Sequence, residues 1–171
     1  MKRVAEMLAY LKDDMEQELE RWKQLYFNAD DSQVKEAINS LRTKIEADDA
    51  SIVISYLRSS YITEKHLFKV TIYENEPFIN EPTLYKLVDL TPLYKQIPEK
   101  IDKYSRKIRS KFIRVLPYEV EEIRRFYMER LYKDSWIFFE KAISKTEVDD
   151  GRIPVYFGEE LGSIKKIGGI E

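Results

Sequence analysis

An α+β fold is what the order of periodicities predicts for this chain of 171 residues. Apolar residues recur at steps of three and four over residues 2–47 and again over 91–144, whereas 51–90 is β-branched and aromatic, and alternates in part. Strands grouped between helical blocks argue for α+β rather than βαβ winding. A third observation bounds the chemistry. All five glycines, Gly151, Gly158, Gly162, Gly168 and Gly169, follow residue 150. P-loops, dinucleotide-binding turns and nucleophile elbows are spelled with glycine, so residues 1–150 spell none of them.

The first helix is expected over 2–28, because Val4, Leu8, Leu11, Met15, Leu19, Trp22 and Tyr26 make one apolar stripe. Asp13, Asp14, Glu16, Glu18 and Glu20 fill much of the remaining surface. Asn28-Ala29-Asp30-Asp31-Ser32 is rich in N-capping residues and breaks it. A second helix to about residue 47 carries Val34, Ile38, Leu41 and Ile45, and the short connection predicts a helical hairpin.

The period then changes to that of strands, at Ser51–Leu57 and Leu67–Tyr73. A turn at Glu74-Asn75-Glu76-Pro77 precedes a third strand within Phe78–Val88, interrupted by Pro82. The expectation is a small antiparallel meander of two or three strands. The link Arg58–Lys65 is longer than a tight hairpin needs, and such loops often carry function.

Helix resumes at Thr91-Pro92, is bent or restarted at Pro98, runs to about Val115, and carries Ile101, Tyr104, Ile108, Phe112 and Val115 on its stripe. Pro117 marks a stop. A last long helix is expected from Tyr118 to Ser144, lined by Val120, Ile123, Tyr127, Leu131 and Phe138. From residue 146 an irregular, glycine-containing tail is expected, in which Ile153–Phe157 could add an edge strand or pack as an extended arm. The whole reads as one domain, 1–171: a helical hairpin (1–47), a strand meander (51–90), a helical pair (91–145) and a tail (146–171).

Composition excludes several classes. Charged residues make up 35% of the chain, above the usual quarter, which suits solvent-facing helices. No run reaches the ~18 apolar residues of a membrane span, and acidic residues appear before any leader-like apolar core, so cytoplasm is the expected compartment and no membrane partner is expected. With no cysteine and a single histidine, neither a metal nor a cofactor is expected. Asp13, Glu16 and Glu20 share a helix face but read as solvated surface, and Asp48-Asp49 and Asp149-Asp150 read as turn or cap residues.

Three functional readings remain. The first is a non-catalytic protein–protein interaction module, contacting another protein or its own copy, with Arg58, Tyr61, Glu64 and His66 as its surface. The 12 tyrosines, several of them near the strands, favour contact surfaces. The second is a nucleic-acid-associated regulator. Residues 99–145 carry 13 basic and 8 acidic groups, and no acid falls between Lys103 and Tyr118, so Lys103, Arg106, Lys107, Lys111 and Arg114 could meet phosphates. The bland reading of that run is a face turned toward the acidic first helix. The third is a small hydrolase in which Glu64 orients His66 as base beside Ser59-Ser60. No lysine has an acidic residue two positions before it, which removes one large nuclease signature. The missing motifs together weigh against an enzyme, and no residue is assigned a catalytic role.

Overall fold

The structure is a computed structural model, and it describes residues 2–45, 50–74, 77, 81–82, 84–144, 153–160 and 162–170. Its helices are α1 (Lys2–Asn28), α2 (Ser32–Arg42), α3 (Ser60–Thr63), α4 (Thr91–Tyr94), α5 (Ile97–Lys111), α6 (Pro117–Asp134) and α7 (Trp136–Ser144). Its strands are β1 (Ala50–Tyr56), β2 (Leu67–Glu74), β3 (Leu84–Asp89), β4 (Ile153–Glu159) and β5 (Ile164–Ile170). The acidic pairs at 48–49 and 149–150 and the turn residues 75 and 76 lie outside the described residues.

The fold is α+β, with a richer sheet than a meander. Five strands run in the order β3-β2-β1-β4-β5, antiparallel everywhere except between β1 and β4, which are parallel. The expected irregular tail is therefore a β-hairpin that completes the sheet. Its glycine has a structural use: a Cβ on Gly158 would stand 2.2 Å from the Ser163 carbonyl oxygen, so only glycine lets β5 approach β4 that closely. Adding β4 makes β1 the central strand, and all seven of its residues are buried.

The helical blocks also differ from expectation. α2 does not lie along α1 as a hairpin arm; its main neighbours are β3, β2 and α7, while α1 packs on α5, α6 and α7. At the turn between them, Asp30 accepts hydrogen bonds from the Ser32 N–H and hydroxyl, both at 3.0 Å, satisfying a free donor of α2. The last long helix breaks at Ser135 into α6 and α7, with no proline or glycine at the break.

Helices and sheet meet in one core. Phe68, Tyr56 and Phe157 project from the sheet onto Tyr94, Tyr132 and Phe139, with ring centroids 5.1–6.2 Å apart. Trp22 and Tyr26 of α1 extend this layer through Tyr94. Inside it the polar groups find partners: the Tyr26 hydroxyl lies 3.0 Å from the Leu131 carbonyl and 3.2 Å from the Tyr94 hydroxyl, and the Trp22 indole N–H donates to the Tyr127 hydroxyl at 2.9 Å.

Candidate functional site

The link Arg58–Lys65 forms the single turn α3 and then a left-handed residue, Glu64 (φ 56°), before β2 begins. That path sends its side chains to different places. Arg58 is exposed and pairs with Glu159 at 2.5 Å. Glu64 is exposed and pairs with Arg124 of α6 at 3.2 Å. Tyr61 is half-buried, with its ring stacked on Tyr132 at 5.3 Å and its hydroxyl buried without a hydrogen-bond partner. His66 is inside the core at 4% exposure.

The His66 imidazole Nδ1 lies 2.6 Å from the Tyr132 hydroxyl, and its ring packs on Tyr94 at 4.8 Å. Burial, reinforced by the Arg124 guanidinium, lowers its pKa to about 4, so the ring is neutral at pH 7. Burial likewise pushes the Tyr132 phenol far up, and Ser60 supports its hydroxyl. Ser60 is itself buried, and its Oγ accepts the Leu67 N–H at 3.3 Å. Serine, histidine and glutamate thus do not form a relay open to substrate: Ser60 and His66 share a buried tyrosine, and Glu64 faces outward. The geometry is that of a satisfied core histidine.

The basic helix is divided in two. Lys107 bonds Asp14 of α1 and lies over the Tyr10 ring, and Lys100 reaches the buried Glu18 at 2.9 Å. Arg106 pairs with Asp102 at 2.9 Å along its own helix. Among the described residues Lys103, Arg109, Lys111 and Arg114 form no ion pair, although Lys111 stands 4.3 Å above the Tyr10 ring. The acidic first helix thus neutralises part of the run that composition singled out. Among the described residues no group of three or more acidic or imidazole side chains could hold a metal ion. No described helix is long and apolar enough to cross a membrane.

The feature that sequence reading missed is the second face of the sheet. Strand pairing aligns Leu87, Lys69, Ser55, Gly158 and Ile164 in one row, and Tyr85, Thr71, Val53, Tyr156 and Lys166 in the next. Partners across a ladder project to the same side, and these rows lie opposite Tyr56, Phe68 and Phe157. The centre is closed to solvent, with Ser51, Val53, Ser55, Thr71, Tyr73 and Gly158 all buried. The β3 rim stands high: Tyr85 is 58% and Leu87 52% exposed. Lys69 leans across the centre, 4.9 Å over the Tyr85 ring and 2.9 Å from Glu160 beyond β4. Among the described residues, the ring contacts between helices and sheet come from the other face. A signal for this face existed in the alternation of Tyr85 and Leu87, but its width depends on β4 and β5.

No protein-family model matches the chain, and neither a curated protein nor a solved structure does.

Proposed function

We propose that this chain is a non-catalytic protein–protein interaction module whose outer sheet face receives a second copy of the chain. The observation that carries the reading is the pair of large side chains, Tyr85 and Leu87, held in the open at the rim of a five-stranded sheet. A sheet face turned to water ordinarily carries polar residues at alternate positions. Here the exposed positions on that side include Tyr85 and Leu87, with Tyr156 and Ile164 half-buried.

Shape favours a copy of the same chain over an unlike protein. A two-fold interface needs a patch that is complementary to itself. β3 is an edge strand carrying Tyr85 and Leu87 exposed on one face, so two copies can lay these rims against each other about a two-fold axis.

The test is sedimentation equilibrium between about 1 and 100 μM, with the wild-type chain and with the double substitution Tyr85→Glu and Leu87→Glu. The expected result is a mass rising to twice 20.5 kDa for the wild type and staying at 20.5 kDa for the variant. A wild-type monomer throughout, or a dimer indifferent to both substitutions, overturns the reading. A monomer that instead binds a different protein through these two residues overturns the second copy and keeps the interaction module.

A further inference from the structure

The corner between α5 and α6 has a chemistry separate from the sheet face. Ile113 at its tip is 85% exposed, and Tyr118 (59%) and Leu116 stand beside it in the open. Around them Arg109, Lys111 and Arg114 form no ion pair among the described residues. The carboxylates nearest in sequence are engaged elsewhere. Asp102 holds Arg106, Glu121 and Glu122 face Arg124 and Arg125, and Glu119 is buried with its Oε2 accepting the Leu116 N–H at 2.8 Å.

The backbone holds this corner in place. Arg114 sits in the left-handed region, φ 54°, which a side chain with a Cβ rarely adopts. Arg3 of α1 fixes it by donating to the carbonyls of Ile113 and Arg114, while its Nε lies 3.4 Å from Glu119. An aliphatic tip is thus kept pointing outward, where it gains nothing from the rest of this chain.

We propose that the α5–α6 corner seats on the surface of an anionic bilayer, with Ile113 entering the headgroup–acyl boundary and Arg109, Lys111 and Arg114 meeting lipid phosphates. Charge complementarity selects an anionic surface, since no acidic residue lies between Lys103 and Tyr118. The convex aliphatic tip selects lipid over nucleic acid, because isoleucine offers a phosphate backbone nothing and cannot stack on a base as an aromatic ring does. Tyrosine beside it suits the interfacial layer. Contact of this kind is with the membrane surface and does not require a spanning helix.

Vesicle co-sedimentation tests the proposal. The full chain is spun with phosphatidylcholine vesicles, and with vesicles in which one third of the lipid is phosphatidylglycerol, at 50 and 300 mM salt. The expected result is binding to the anionic vesicles at 50 mM salt, weakened at 300 mM, and no binding to the neutral ones. Ile113→Asp should lower partitioning at least tenfold. Lys111→Gln combined with Arg114→Gly should lower it on the order of 20-fold, each cation near the surface contributing about fivefold. Glycine keeps the left-handed backbone at 114, so the fold is retained. Should Ile113→Asp shift the melting temperature, Ile113→Ser supplies the same readout. Absence of binding to anionic vesicles at 50 mM salt, or binding that ignores residue 113, overturns the proposal. So does tighter binding of a 20-nucleotide single strand that is indifferent to Ile113→Asp.

Discussion

The two faces of the sheet use the same strands and end with opposite characters. On the inner face, alternate residues of β1, β2 and β4 are Ile52, Ile54, Tyr56, Phe68, Val70, Ile72, Val155 and Phe157, and helices cover them all. On the outer face the intervening residues are Ser51, Val53, Ser55, Lys69, Thr71, Tyr73, Tyr156 and Gly158; Lys69 and Tyr156 are half-buried and the others are buried, Tyr73 at 6% exposure. Burial of β1 on both sides therefore has two causes. Rings from α4, α6 and α7 provide one, and on the outer face the longer side chains of the neighbouring strands, Lys69, Tyr73 and Tyr156, stand beside the short ones of β1. The outer face keeps Val53 and Tyr73 buried at its centre while its β3 rim residues Tyr85 and Leu87 stay exposed.

The strongest way to break the comparison is to cut the inner face. Phe139 is fully buried among Phe68, Phe138 and Phe157, with centroids at 5.1, 5.3 and 5.4 Å. Phe139→Ala removes a ring that three elements share, and the expected loss is about 3–5 kcal/mol in urea unfolding. A loss below 1 kcal/mol would mean that the ring layer is loose, and the contrast between the faces would fail.

A smaller effect comes from the polar atoms within that layer. The folded pKa of His66, about 4, lies below its unfolded value near 6.5. Between these values the unfolded chain binds a proton that the folded chain does not, so stability rises with pH. The contribution of His66 is fully present above about pH 7 and is lost as pH falls from 6.5 toward 4. Its size is on the order of 2 kcal/mol. Unfolding free energies measured at pH 7.5, 6, 5 and 4.5 should fall more steeply for the wild type than for His66→Gln. Parallel curves would show that the imidazole is protonated in place.

The helices were legible because their signal is local. The stripe read on α1 shares Leu11, Met15, Leu19, Trp22 and Tyr26 with the residues it buries, and Pro98 and Pro117 fall beside the starts expected of them. What escaped reading depends on residues far apart. β4 pairs with β1 across about 100 residues, so a tail with glycine at 158, 162 and 168 looks irregular until Ile52 aligns with Val155. The break at Ser135 follows packing rather than a helix-breaking residue: its N–H is shared between the Leu131 and Tyr132 carbonyls at 3.1 and 3.2 Å. The burial of His66 rests on Tyr132, 66 positions away, and no spacing rule reports that. On the basic helix, composition could count cations, but only the docking of α1 decides that Lys107 is neutralised and Lys111 is not.

The mildest perturbation sharpens the contrast most. Lys69 reaches from β2 across the outer centre to Glu160, and the pair is partly exposed at both ends. Partly exposed ion pairs contribute little, because solvent screens the attraction and ordering two long side chains costs entropy. Lys69→Met keeps the stem over Tyr85 and removes the charge. The expected change in unfolding free energy is below about 1 kcal/mol, a fraction of that for Phe139→Ala. The same variant has a second readout. If a copy of the chain seats on this face, removing a lysine that already has its carboxylate partner should leave dimerisation intact, whereas charge at Tyr85 and Leu87 abolishes it. A large loss of stability from Lys69→Met would mean that the outer face is held together by its own polar network. The rim residues would then belong to that network and not to an interface.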